Sequence, residues 1–395
     1  MLVTFNSANT MNCTPKKRSK IAFKGITPLQ IKGKETFAKI FTGALDYKTM
    51  SQIKDICNHP VFENTSIRIM PDVHPGKNCI VGFSSTVGAK GVIPSIIGSD
   101  IGCGMLCVKF DTQGKEIDFR KLDDVVRTYF SMARTKKPAW VKKVIPSLRQ
   151  DIESMCPKFR DTSADYQIDN LGTVGRGNHF IEIDKDSKGQ QYLIIHTGSR
   201  ALGKRVADYH EFVARHQNHY YIRELSYLSR AEAAQYLKDL NVTQRYAAAN
   251  RRVIADEILY RMGWKEKGSF ESIHNYISPD GIIRKGAIEA TKGKQVLIPL
   301  NMRDGAILGR GKGNVDWNQT APHGAGRCIA RGEAMKTLSV EDYKNSMQGI
   351  FTTSVSKDTL DEAPAAYKKA SEIISNIEDT VQVDEILKPL YNFKD

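Results

Sequence analysis

Gly177-Asn178-His179-Phe180-Ile181-Glu182-Ile183-Asp184, then Lys185-Asp186-Ser187-Lys188-Gly189-Gln190, then Gln191-Tyr192-Leu193-Ile194-Ile195-His196: this stretch decides how the chain folds. Residues Phe180 to Asp184 alternate apolar and acidic, the period-two mark of a strand with two unlike faces. Gln191 to Ile195 reads as a second strand, and the Asp, Ser, Lys and Gly between them are turn residues. An antiparallel hairpin follows. The midpoint of 179 and 196 falls between Ser187 and Lys188, so a symmetric hairpin sets His179 directly opposite His196, with Cβ atoms roughly 4.5–5.5 Å apart. That separation suits two imidazoles sharing one metal or a pair of metals. Strict alternation would put Asn178 and Glu182 on the face opposite His179, so either His179 lies just before the strand or a bulge re-aims it. Two histidines that merely flank a hairpin are the plain alternative.

Outward from the hairpin, Ile67 to Phe110 is rich in Gly, Val, Ile and Ser broken by turns, and reads as short strands. Apolar residues recur at helical spacing from Asp118 to about Met132 and from Val144 to Ser154. The stretch from Leu202 to about Met262 reads as helices. Strands return near Gly281 to Pro299, and helices from about Val340 to Asn376 close the chain. No internal repeat, low-complexity tract or long linker interrupts this order. The expectation is one large α+β domain over residues 1–395, with mixed and antiparallel sheets and a helical insertion at about 202–262.

Lys and Arg outnumber Asp and Glu by 58 to 44, a net charge of +14, which favours a polyanionic partner such as nucleic acid. The seven cysteines (Cys13, Cys57, Cys79, Cys103, Cys107, Cys156, Cys328) are odd in number, scattered and without a CxxC pair. A disulfide framework is therefore not expected, and a reducing cytoplasm fits better. Met1-Leu2-Val3-Thr4-Phe5 followed by the basic run Lys16-Lys17-Arg18-Ser19-Lys20 lacks the order of a signal peptide, and no apolar run is long enough to span a bilayer. The reading is a cytoplasmic protein without a membrane segment.

Several histidines sit in glycine-rich or polar company: His74 in Met70-Pro71-Asp72-Val73-His74-Pro75-Gly76-Lys77, His196 before Thr197-Gly198-Ser199-Arg200, His274 before Asn275, and His323 in His323-Gly324-Ala325-Gly326-Arg327. Glycine lets backbone, phosphate or metal approach closely. His210, His216 and His219 fall among charges in the helical stretch and read as solvated, and His59 before Pro60 as a loop residue. In Gly98-Ser99-Asp100-Ile101-Gly102-Cys103-Gly104, Asp100 and Cys103 are three apart in a loop and can face one point. Carboxylate, imidazole and thiolate together suit zinc, iron, cobalt or manganese rather than magnesium or calcium. A buried inert cysteine beside a turn-forming aspartate is the alternative.

Taken together, these motifs, in one order and spacing, resemble the RtcB family of RNA-splicing ligases. The resemblance runs from about residue 65 to the C-terminus and includes Pro364-Ala365-Ala366-Tyr367-Lys368. It implies a central cleft for metal and nucleotide, and an enzyme that uses GTP and two Mn²⁺ ions to join RNA ending in a 2′,3′-cyclic phosphate or 3′-phosphate to RNA with a 5′-hydroxyl. By motif, Asp100, Cys103, His179, His196 and His274 would hold the metals, with Cys103 bridging. His323 would attack the α-phosphate of GTP, and Asp72 would fix its tautomer. Asn178, Phe180, Glu182, Asn275, Tyr367 and Lys394 would surround the guanylate, and Gly324, Ala325 and Gly326 would leave room for phosphate beside the nucleophile. Arg200, Lys204 and Arg327 are candidate RNA-phosphate contacts.

One departure stands out. Where the family's nucleotide loop carries a Gly-Ser-Met-Gly run, this chain has Leu300-Asn301-Met302-Arg303. Asn301 is expected to replace the serine and Arg303 to supply a phosphate contact, which points to a divergent branch. The competing readings are a metal-dependent RNA-end phosphoesterase without guanylation and a non-catalytic RNA-binding protein. A monomer is expected, and the need for an activating protein partner stays open, as does the identity of the RNA.

Overall fold

The computed structural model describes residues 28–43, 45–131, 146–156, 162–217 and 225–395. Cys13, the basic run at 16–20, Met132, Val144 and His219 lie outside them.

Among the described residues, two large sheets carry the molecule. The first orders Leu29–Lys32 (β1), Phe37–Ile40 (β2), Ile67–His74 (β3), Val81–Thr86 (β4), Ile282–Lys285 (β12) and Asn275–Ile277 (β11). The second orders Lys265–Ile273 (β10), Gly104–Asp111 (β6), Gln191–Thr197 (β8), Phe180–Lys185 (β7), Val381–Phe393 (β17), Gly305–Gly311 (β15) and Gln295–Asn301 (β14). Gly91–Val92 (β5) pairs with Leu228–Ser229 (β9), and Ala287–Glu289 (β13) with Thr320–Pro322 (β16). Only β2 and β3 run parallel; every other ladder is antiparallel. The α+β class expected from the sequence is what the chain adopts.

The hairpin forms with its register slipped by one residue. Lys185 pairs with Gln191 and Phe180 with His196, leaving a five-residue loop at 186–190. The Asp186 carboxylate accepts from the Lys188 and Gln190 N–H groups, and Gly189 takes φ +81°. This local chemistry closes the turn one residue tighter than a symmetric six-residue connection. His196 therefore faces Phe180, and His179 sits just before the strand, the first of the two placements weighed above.

Each face of β7 has a different use. Ile181 and Ile183 join Leu193, Ile195, Ile254 and Ile258 in one core cluster. Phe180 joins Met105, Cys107, Tyr192 and Ile194 on the other face, where Glu182 and Asp184 are also buried. Ile254 and Ile258 belong to the 33-residue helix Arg230–Met262, which begins with a capping box (Ser229, Glu232) and ends at Gly263 in the left-handed region. That helix reaches the loops beyond the strands. Arg251, fully buried, donates to the Gly102 and Thr197 carbonyls at 2.9 Å each and pairs with Glu271. Asn250 accepts from the Gly172 and Thr173 N–H groups. The ends of β6 and β8 and the segment leading into β7 are thereby tied to one rigid element.

Three readings change. His210 is buried rather than solvated, with Nε2 2.8 Å from Asp239 Oδ2. His59 is buried and caps the short turn Pro60–Phe62, accepting from the Val61 N–H. The C-terminal helices Val340–Ser346 and Ala370–Asn376 are separated by largely irregular chain and followed by β17, a thirteen-residue strand in the middle of the second sheet. Pro389 and a register shift between Pro389 and Tyr391 break its alternation, which hides it from a periodicity reading.

Candidate active site

Four chain segments converge where the two sheets meet. Asp100 and Cys103 lie in the loop between the short helix Pro94–Ile97 and β6, with the Cys103 N–H donating to the Asp100 carbonyl at 3.2 Å. His179 precedes β7 and His196 ends β8. His274 sits between β10 and β11, its N–H on the Cys103 carbonyl at 2.9 Å.

The donor atoms form a chain with the thiol in the middle. Cys103 Sγ is 3.4 Å from His179 Nε2 and 3.3 Å from His196 Nε2. His179 Nε2 is 3.4 Å from Asp100 Oδ2, and His196 Nε2 is 3.4 Å from His274 Nε2. Donors around a tetrahedral ion with bonds of about 2.0–2.3 Å stand roughly 3.5 Å apart, so the spacing is that of a coordination shell. Tautomers agree with it. His179 Nδ1 is 2.9 Å from the Val174 carbonyl and His196 Nδ1 3.0 Å from the Asn178 carbonyl, which leaves both Nε2 lone pairs aimed at the thiol. His274 Nδ1 is buried with no hydrogen-bond partner among the described residues. Gly198 admits this geometry, since a Cβ there would lie 2.0 Å from Asp100 Oδ1.

Electrostatics point the same way. Burial, reinforced by neighbouring positive groups, holds His196 and His274 well below the usual imidazole range, so both rings are neutral and able to offer a lone pair. Burial and the Asp100 charge push the Cys103 thiol well above its ordinary value, a penalty that a dication on the sulfur reverses. Burial acts to raise Asp100, but the His179 ring beside it, the Cys103 thiol and the Lys285 ammonium prevail and hold its carboxyl well below the usual range.

Beside the cluster, the His323 ring lies 4.9 Å, centroid to centroid, from His274. Its Nδ1 is 2.6 Å from Asp72 Oδ2, and the same oxygen accepts the His323 N–H at 3.1 Å. Asp72 is fully buried on β3, so a carboxylate fixed at two points sets the ring's orientation and leaves Nε2 as the free nitrogen. Gly326, at φ +72°, passes so close to Asp72 that a Cβ would meet its carbonyl oxygen at 2.5 Å.

A pocket opens beside His323 and His196, walled by Asn178, Phe180, Glu182, Leu300, Met302, Glu362, Asn392 and Lys394 among others. A family model described as tRNA-splicing ligase RtcB matches residues 52–159 and 148–395. The chain belongs to the RtcB family. Among similar proteins, the RNA-splicing ligase RtcB of Escherichia coli (strain K12) is 28% identical over 360 residues, covering 80% of this chain and 87% of that protein. The tRNA-splicing ligase RtcB of Methanococcus maripaludis is 27% identical over 414 residues, covering 82% and 86%. That of Aeropyrum pernix is 25% identical over 424 residues, with the same coverage. RtcB membership supports a role as an RNA ligase, and the Cys103, His179 and His196 cluster could bind a metal.

The positions carried over from the RtcB motifs are not all in the pocket. Asn178, Phe180, Glu182, Asn301, Gly324, Ala325, Gly326, Tyr367 and Lys394 line it. Asn275 does not; it is buried against the Asp100–Cys103 loop, donating to the Asp100 carbonyl at 3.1 Å and accepting the Gly286 N–H at 3.0 Å. Arg303 also lies outside, in a neighbouring groove, with its guanidinium on Asp304. The reason is local: the Asn301 side chain accepts from the Arg303 and Asp304 N–H groups and caps the β14–β15 turn, which directs Arg303 outward. Leu300 and Met302 are buried, Met302 taking a hydrogen bond from the Tyr343 hydroxyl. Arg327 lines the pocket but is engaged with the Ile329 carbonyl, Glu362 and Tyr367. Arg200 packs against His179 Nδ1 at 3.3 Å, and Lys204 pairs with Asp208 on an exposed helix face.

Sequence reasoning missed Glu362. Its carboxylate receives Lys394 Nζ at 2.7 Å, the Tyr367 hydroxyl at 2.6 Å and Arg331 at 2.5 Å. Burial acts to raise it, but Lys394 and Arg331 outweigh that and hold it at about 2. Nothing local marks the acid that ends the short turn Leu360–Glu362 as a buried hub for two cations and a hydroxyl. Asn392 on the unforeseen β17 was missed for the same reason, and donates to Glu182.

Proposed function

We propose that this chain is, over residues 1–395, an RtcB-like ligase domain that joins RNA 2′,3′-cyclic phosphate or 3′-phosphate ends to 5′-hydroxyl ends by way of a GMP-bearing His323. The observation that carries this reading is the Asp72–His323 contact at 2.6 Å, with the histidine set between the Cys/His cluster and the pocket. Asp72 accepts the Nδ1 proton and so leaves the Nε2 lone pair as the nucleophile. Nε2 forms a bond to the α-phosphorus of GTP, the bond to the leaving oxygen breaks, and pyrophosphate departs. The RNA 3′-phosphate then takes the guanylyl group from Nε2, and the 5′-hydroxyl displaces GMP. Asn178, Phe180, Glu182, Tyr367 and Lys394, which all line the pocket, would hold the guanylate.

Asp100, Cys103, His179, His196 and His274 would hold the two manganese ions, and their carboxylate, thiol and imidazole donors fit that metal. When bound, such ions neutralise phosphate charge and activate water to open a cyclic end. The cytoplasm suits a centre that depends on a reduced thiol, and no helix among the described residues is long and apolar enough to cross a membrane.

Incubation with α-labelled GTP and Mn²⁺ tests the reading. An acid-labile, base-stable label on the wild type, absent from His323→Ala, is expected. Active, metal-loaded protein that opens cyclic ends yet never takes the label would instead be a phosphoesterase.

A further inference from the structure

Strand β7 sets Glu182 and Asp184 two residues apart on the face shared with Phe180. Both carboxyls are buried, at 3% and 0% exposure. Glu182 reaches the pocket wall, where Asn392 on β17 donates to it and the Lys394 ammonium acts on it. Asp184 lies one step further in. Opposite it on β17 is Pro389, which has no N–H, and on β8 Tyr192, whose hydroxyl turns to Asp186 at 3.1 Å. Cys107 on β6, a thiol that burial keeps protonated, packs on the same face. No residue among those described supplies an N–H or O–H donor to either Asp184 oxygen, and the carboxyl that acts on it from the same strand face is that of Glu182.

A carboxylate buried with no donor is among the costliest arrangements a fold can hold, and two adjacent buried carboxyls share a proton instead. The two environments decide which keeps it. Glu182 has an amide and an ammonium to stabilise a negative charge, and Asp184 has neither. Burial and the neighbouring Glu182 push Asp184 far above the usual carboxyl range. Glu182 is also raised by burial, but Asp184, Asn392 and Lys394 pull it back down, so of the two it is the one that ionises.

We propose that Asp184 is a positioning residue of the nucleotide site: as a neutral carboxylic acid it donates its O–H to Glu182 and holds that carboxylate, ionised, at the pocket wall. The proposal rests on the reading of Glu182 as a nucleotide contact. No proton leaves the pair during binding; the hydrogen bond only orients the acceptor and favours its charged form.

The test measures GTP affinity between pH 6 and 8 for metal-loaded wild type, Asp184→Asn, Asp184→Ala and Glu182→Gln, using α-labelled GTP. Asp184→Ala should weaken binding about tenfold, the loss expected of one hydrogen bond to a charged group. It should also move the acid-side loss of binding up by roughly one pH unit, because Glu182 loses a donor to its charged form. Asp184→Asn, which keeps a neutral donor, should restore affinity to within about threefold and keep the wild-type pH profile. A profile moved to lower pH in Asp184→Asn would mean that Asp184 is ionised and would overturn the proposal. Wild-type affinity and profile in Asp184→Ala would overturn it as well. A difference infrared spectrum, wild type minus Asp184→Asn at pH 7, should contain a protonated-carboxyl band; its absence also refutes the neutral acid. Glu182→Gln separates the two readings, since undiminished GTP binding there overturns Glu182 as a contact, while the infrared band reports on the pair independently.

Discussion

Asp72 and His323 are 251 positions apart, yet one carboxylate oxygen takes both the backbone N–H and the ring Nδ1 of the histidine. A fixed tautomer is worth most when the other nitrogen must attack. Asp72→Asn should therefore slow labelling by α-labelled GTP by roughly 10²–10⁴-fold, with GTP affinity nearly unchanged, and a single-turnover time course separates the two. Glu362 carries a second prediction at this scale. Its folded value of about 2 lies below the ordinary 4.5, so the unfolded chain binds the proton more readily. Stabilisation on the order of 3 kcal/mol is then fully present above pH 4.5 and is lost as pH falls towards 2. Thermal melts of wild type and Glu362→Gln should differ at pH 7 and converge as the pH drops through that window. A constant gap down to pH 2.5 would rule this account out.

Among the elements, the β14–β15 turn and the two longest helices make separate statements. Because Asn301 caps the turn and Arg303 points into the neighbouring groove, Arg303→Ala should leave the GTP concentration for half-maximal labelling within about twofold of wild type. A tenfold rise would return Arg303 to the pocket. The helix Arg200–Gln217 is joined to Arg230–Met262 through His210 and Asp239, and Asp239 also accepts from the Cys156 N–H and from Gln235. Asp239→Ala strands those donors in the interior and should cost about 3 kcal/mol, read from the urea midpoint. Strand β17 shows why elements outrun a local reading: Leu387, Tyr391 and Phe393 are core residues, but a proline and a bulge interrupt their alternation. The hairpin shows the opposite case. Its two strands were legible from period and turn chemistry, and only the parity of the loop, set by Asp186 and Gly189, moved the register by one.

Across the whole molecule, the Cys/His cluster ties the loop before β6 to the ends of β8 and β10, so an ion bound there should stabilise the fold as well as enable chemistry. Stripping the protein with a chelator should lower its melting temperature by several degrees and abolish RNA joining, and added Mn²⁺ should restore both; an unchanged melting temperature would mean that the cluster forms without an ion. The α+β class, the hairpin, the helical stretch after it and the glycine-flanked histidines were determined by sequence alone, because periodicity, turn chemistry and short motifs are local. The family motifs also implied that Asp72 meets His323, but only the tertiary structure decided that Asn275 braces the Asp100–Cys103 loop rather than lining the pocket, that Arg303 faces away, and that Glu362 gathers Lys394, Tyr367 and Arg331. The physical reason is the same in each case: a buried charge or donor is placed by partners far away in the chain, and burial, not spacing, selects which partner it takes.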